Sequence, residues 1–145
     1  MKELTCLGAA LAALVLGCAS APPASQGEKT VPGAQYLAGS EWELRDLGGA
    51  PVLEDQRPTM AFLEPGRVSG SGSCNRYTGS AEVGDGTLKV SQLASTKMAC
   101  IPEVDNQERA FLNALQNART IELVGGELVV HSESLEQPLR FRRIR

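Results

Sequence analysis

Between residues 41 and 46 apolar and charged side chains alternate: Trp42 and Leu44 share one side, and Glu41, Glu43 and Arg45 the other. A period of two marks a strand with one face on a core and the other in water. Thr59–Leu63 reads as a second strand, and the turn residues Glu64-Pro65-Gly66 lead into Arg67–Ser71, which predicts a hairpin. Gly84-Asp85-Gly86 separates Ser80–Val83 from Thr87–Ser91 and predicts a second, since Asp-Gly supplies the positive φ that tight turns need. Gly125-Gly126 joins Thr120–Val124 to Glu127–His131, and Leu139–Arg142 is a last strand.

The period changes once. From Pro102 or Glu103 to about Asn117, the residues Val104, Phe111, Leu115 and Ala118 recur at helical spacing with Leu112 beside them, while Asp105, Arg109 and Asn113 lie elsewhere. A proline in the first turn, with Glu103 and Asp105 at the positive end of the helix dipole, supports that start. Strands, one helix and more strands predict a single α+β domain, a mostly antiparallel β-sheet with one α-helix packed on it, because each element has an apolar face to bury.

The first residues follow neither period. An uncharged apolar run of about thirteen residues ends at Val15-Leu16-Gly17-Cys18, too short for the ~20 residues that span a bilayer, and reads as the core of an export signal. Its end resembles the lipobox of bacterial lipoproteins, which implies removal of residues 1–17 and acylation of Cys18. The expected partner of that lipid is a membrane, and Ala19 after the cysteine implies sorting to the outer membrane, facing the periplasm. Residues 18–36, rich in Pro, Ala, Ser and Gly, read as a lipidated cysteine and a flexible tether, and residues 37–145 as the domain.

Composition sharpens this picture in two places. A formal net charge of -3 gives no basic surface for nucleic acid. Of four cysteines, Cys6 leaves with the signal and Cys18 takes lipid, so Cys74 and Cys100 remain as a pair in an oxidising compartment and are expected to form a disulfide.

The ordered set of Trp42, Cys74-Asn75-Arg76-Tyr77-Thr78-Gly79, Leu93 to Cys100 including Met98, then Glu108, Phe111, Leu115, Leu128 and Phe141 resembles the META domain, also called the HslJ-like domain, of bacterial envelope proteins. The resemblance implies an α+β domain, frequently lipid-anchored, associated with envelope stress and without an established reaction. Lys97 stands where the family usually carries arginine, so a two-pronged contact from that side chain is not expected.

The same residues admit other chemistries. Cys74 as a nucleophile would need His131, the only histidine, as its base, together with a third orienting group. One histidine and two separated cysteines lack the spacing of a zinc site. Gly70, Gly72 and Gly79 lack the lysine and helix of a phosphate loop and read as bulges or close backbone approaches, and Asn75 as a residue tolerant of left-handed backbone. Arg140, Arg142, Arg143 and Arg145 could meet anionic lipid or form a solvated strand face. The expectation is a lipid-anchored, non-catalytic envelope protein without cofactor or metal, binding or supporting the envelope under stress. The competing readings are a small protein-binding, inhibitor-like module acting on an envelope protein, or a thiol enzyme using Cys74.

Overall fold

The computed structural model describes residues 27–145. The signal segment and Cys18 lie outside the described residues. Nine strands and one long helix follow in the order β1 (Lys29–Thr30), the short helix α1 (Ala34–Leu37), β2 (Glu41–Leu47), β3 (Thr59–Ala61), β4 (Arg67–Ser71), β5 (Arg76–Gly84) and β6 (Thr87–Ser95). Then come α2 (Pro102–Gln116), β7 (Ala118–Val124), β8 (Glu127–Ser132) and β9 (Leu139–Arg143). Every pairing is antiparallel, as the alternating pattern and short turns require.

The sheet does not end in two free edges with a helix laid on one face. β2 pairs with β9, β9 with β8, β8 with β7, and β7 with β6 through Thr87 and Thr120, so eight strands close into a barrel. The expected α+β domain of antiparallel strands and one main helix is present, and its closure into a barrel goes beyond that expectation. Alternation tells each strand which face is apolar, but closure depends on pairing the first wall strand with the last, which no local pattern encodes. Trp42, Leu44, Met60, Val68, Leu88, Leu128, Leu139 and Phe141 fill the interior and are fully buried.

Two bulges tune the wall. In β2 the register against β9 slips between Leu44 and Asp46, so the inward phase resumes at Leu47, one residue beyond the expected strand. Against β5, the register of β6 slips between Thr78 and Ser80, and Gln92 takes φ 54°. Gly79 faces that bulge, where a Cβ would lie 2.6 Å from a Leu93 methyl and 2.9 Å from the Ser91 carbonyl. Gly125-Gly126, both at positive φ, makes the two-residue turn between β7 and β8.

The connection from β6 to β7 is α2. Proline opens it with Glu103 and Asp105 in its first turn, and Val104, Phe111 and Leu115 enter the core. Ala118 is also buried but starts β7 rather than continuing the helix. Asn117 ends the helix, its backbone N–H donating to the Asn113 carbonyl at 3.2 Å and its side chain returning to the same oxygen.

Strand direction gives the barrel two ends. The upper end carries the β2–β3, β4–β5 and β8–β9 loops and α2, and the lower end the β3–β4, β5–β6 and β7–β8 turns. Residues 27–38 belong to the lower end, which corrects the expectation of a free tether as far as residue 36. Lys29 and Thr30 pair with Val124 and Leu123, and Leu37 is 1% exposed. The physical reason is that this barrel end is apolar and accepts Leu37, while Arg143 lies 5.4 Å from the ring centre of Tyr36 and 5.7 Å from that of Trp42.

Candidate functional site

The motif residues meet at the upper end, where α2 passes beneath the β4–β5 loop. Glu108 receives that loop. One carboxylate oxygen accepts the backbone N–H groups of Cys74 and Asn75 at 3.0 and 2.6 Å, and the other accepts the Asn75 amide NH₂ at 2.7 Å. The Asn75 side-chain oxygen Oδ1 in turn accepts the Met98 backbone N–H at 2.7 Å and the Thr96 hydroxyl at 3.0 Å. Asn75 thus bridges the helix to the segment that leads into it.

Gln107 does the same work on the neighbouring loop. Its oxygen accepts the Leu53 N–H at 2.8 Å, and its NH₂ donates to the Gln56 carbonyl at 2.7 Å and the Ser73 hydroxyl at 2.8 Å. Two consecutive N–H groups aimed at a carboxylate form an anion-binding concavity, here occupied by the protein's own Glu108. Gly72 leaves room for it, since a Cβ there would sit 2.8 Å from the Glu108 side chain. Gly70 likewise lies against the Thr59 backbone, where any Cβ would clash with its carbonyl.

The strained backbone is at Ser73, with φ 135°, rather than at Asn75, whose φ is not positive. This corrects the left-handed role expected for Asn75. Its side chain is needed for hydrogen bonds on both sides, and the loop takes its unusual turn two residues earlier. Arg76 and Met98 join the cluster through their backbones: Arg76 N–H donates to the Thr96 hydroxyl at 3.2 Å, and both side chains are exposed.

Cys74 and Cys100 are disulfide-bonded, with Cα atoms 6.3 Å apart, within the span a disulfide bridges. The bond ties the loop gripped by Glu108 to the segment gripped by Asn75. For a sequence separation of 26, the chain-entropy contribution is ~3.5 kcal/mol. Cys74→Ser and Cys100→Ser are expected to destabilise equally, and the double variant little more, because each breaks the same bond. Two alkylatable thiols in the unreduced, denatured exported protein would overturn this expectation.

The thiol–imidazole pair is not assembled. Cys74 is bonded to Cys100, while the exposed His131 on β8 places Nε2 3.1 Å from a Glu122 carboxylate oxygen. That hydrogen bond, aided by the charge of Lys29 at 3.6 Å, holds the Glu122 carboxyl below its ordinary pKa. Among the described residues no group of three or more His, Cys, Asp or Glu could hold a metal ion. The C-terminal arginines have partners in the fold: Arg142 reaches Glu43 at 2.9 Å and Arg140 comes within 3.8 Å of Glu127. The Tyr77 hydroxyl donates to the Thr59 carbonyl at 2.8 Å, and burial raises its pKa far above the usual range.

Gln107 was missed as a site residue, and Glu108 carried only the resemblance. The available signal is the position of Gln107 four and Glu108 three residues before Phe111, on the helix face otherwise apolar. A polar residue on such a stripe needs a buried partner.

The chain as a whole is similar to known proteins. The chain is 28% identical over 123 residues to Heat shock protein HslJ of Escherichia coli (strain K12), an alignment covering 83% of each. A solution structure determined by NMR superimposes with a TM-score of 0.64 at 26% identity, covering 77% of this chain and 95% of that one. A second NMR structure, from Burkholderia xenovorans, shares the fold with a TM-score of 0.60 at 24% identity, covering 86% of this chain and all of that one. The META domain model matches residues 35–144, from α1 through the last strand. With that match spanning the whole barrel and the helix that locks its upper loops, the chain belongs to the META domain family.

Proposed function

We propose that the chain is a lipid-anchored bacterial envelope protein whose META domain acts by binding or by mechanical support under stress, without catalysis. The observation that carries the non-catalytic reading is the upper cluster itself. Glu108, Asn75 and Gln107 spend their polar atoms on the protein's own loops, and Cys74 spends its thiol on Cys100. Such a cluster fixes loop positions and offers a substrate no free acid, base or nucleophile. The similarity to a protein named for heat shock supports a role under stress. The apolar run ending at Gly17-Cys18 supports the anchor, and Ala19 after the cysteine supports an outer-membrane, periplasm-facing location.

The anchor has a direct test. Intact-mass analysis of the membrane fraction should show a chain beginning at acylated Cys18, and a soluble product beginning beyond that residue would overturn the proposal. The competing reading, a module that binds an envelope protein, is favoured by Met98 and Ile101, which are 62% and 64% exposed on a segment clamped by the disulfide and Asn75. Pre-fixed apolar side chains bind with little ordering cost. Crosslinking from this segment in cells should then trap a single envelope partner, and Met98→Ser with Ile101→Ser should abolish the adduct.

A further inference from the structure

The exposed large apolar side chains of the barrel lie at its two ends, and the lower end holds Val31, Tyr36, Leu63 and Ile144. Between α1, the β3–β4 turn and β5 runs a groove of about 520 Å³, lined by Ala34, Leu37, Phe62, Leu63, Ala81 and Val83. That volume falls in the ~300–1,000 Å³ range of small-ligand sites. Of the charged residues lining it, Glu64 and Arg67 are paired with each other at 3.3 Å, which leaves the exposed Glu82 of β5 as the third.

We infer that this groove takes an acyl chain of a bilayer phospholipid and that the lower end docks on the membrane surface. The inference builds on the lipid-anchored reading. The described chain begins at this end, where Gly27 lies against Gly125, and Cys18 precedes Gly27 by about nine residues, which span at most ~30 Å. An acylated Cys18 therefore keeps the lower end within that distance of the bilayer, whatever path the intervening chain takes. An apolar groove rimmed by Leu63, 50% exposed, and flanked by Tyr36, 44% exposed, suits the acyl boundary of a lipid surface. Tyrosine is favoured at such interfaces because its ring is apolar and its hydroxyl stays wet.

The experiment places a reporter at each end. Leu63→Trp and, at the opposite end, Ile101→Trp are made in the exported full chain and added to phosphatidylcholine–phosphatidylglycerol vesicles carrying brominated acyl chains. Trp42, fully buried in the barrel, gives the common background. Emission from Leu63→Trp should shift to the blue and fall roughly twofold, since docked apolar faces sit about 5–10 Å into the acyl boundary, while Ile101→Trp should be unchanged. Equal quenching at both ends, or none at Leu63→Trp, would overturn the inference. A blue shift of Leu63→Trp before vesicles are added would also overturn it, because the groove would then be filled by protein. Intact mass of the same samples separates this result from the anchor. An acylated chain without quenching leaves the anchor and removes the docking, whereas quenching of an unacylated chain does the reverse.

Discussion

Replacing Phe111 with alanine is expected to cost about 3–5 kcal/mol, most of the stability of a domain whose total is about 5–15 kcal/mol. Phe111 is fully buried where α2 meets the barrel wall. Its ring stands edge-on to Tyr77 at 5.8 Å and to Phe141 at 6.3 Å, so it links the helix to β5 and β9 at once. Each such aromatic contact adds about 0.5–1.5 kcal/mol to the value of the area buried. Wall strands cannot close the gap left by a missing ring without breaking their pairing, so the cavity persists. Arg109→Ala, on the exposed face of the same helix, should stay within about 0.5 kcal/mol of the parent. Chemical denaturation of the three proteins provides the check. A Phe111→Ala midpoint equal to the parent's would show that this side chain does not hold the helix to the barrel.

Glu108→Ala should be comparably severe for a different reason. The change removes the acceptor for three donors, the buried Asn75 N–H and amide and the part-buried Cys74 N–H. Unpaired buried donors cost about 1–3 kcal/mol each, and partial entry of water brings the expected total to about 3–5 kcal/mol. Asn75→Ala acts on the same network by freeing the Met98 N–H and the Thr96 hydroxyl, so its cost should not add to that of Glu108→Ala. Additive losses in the double variant, measured by denaturation, would mean that the two residues stabilise separate parts of the fold. Retained stability in Glu108→Ala would show that the disulfide alone fixes the loop.

Both predictions rest on α2, and they divide what could be read in advance from what could not. The apolar stripe of Val104, Phe111 and Leu115 is local: side chains 3.6 residues apart per turn share a face whatever they pack against. The strand positions followed from alternation in the same way, and the glycine turns from the φ values that only a few residues adopt cheaply. The resemblance drawn from Trp42, the Cys74–Gly79 segment and the helix residues likewise came from order and spacing, and the family match over residues 35–144 agrees with it.

What the local patterns could not carry was pairing between distant segments. The sheet closes because β2 meets β9 across nearly the whole domain, and a strand's alternation is identical in an open sheet and a barrel. Residues 29–36 read as tether because they show no hydrophobic period and are broken by Pro32 and Gly33, yet the Lys29–Thr30 pairing and helix α1, ending at buried Leu37, fasten them to a barrel end that forms only once the strands have closed. Glu108 and Gln107 are polar, and polarity alone points outward. They turn inward because the tertiary fold brings loops from residues 53–56 and 73–75 over them, with backbone donors and acceptors that no neighbouring residue satisfies. Sequence by itself determined which residues could form each element and which faces were apolar. Only the tertiary structure decided which distant segments meet, because hydrogen-bond partners and barrel closure depend on contacts far apart along the chain.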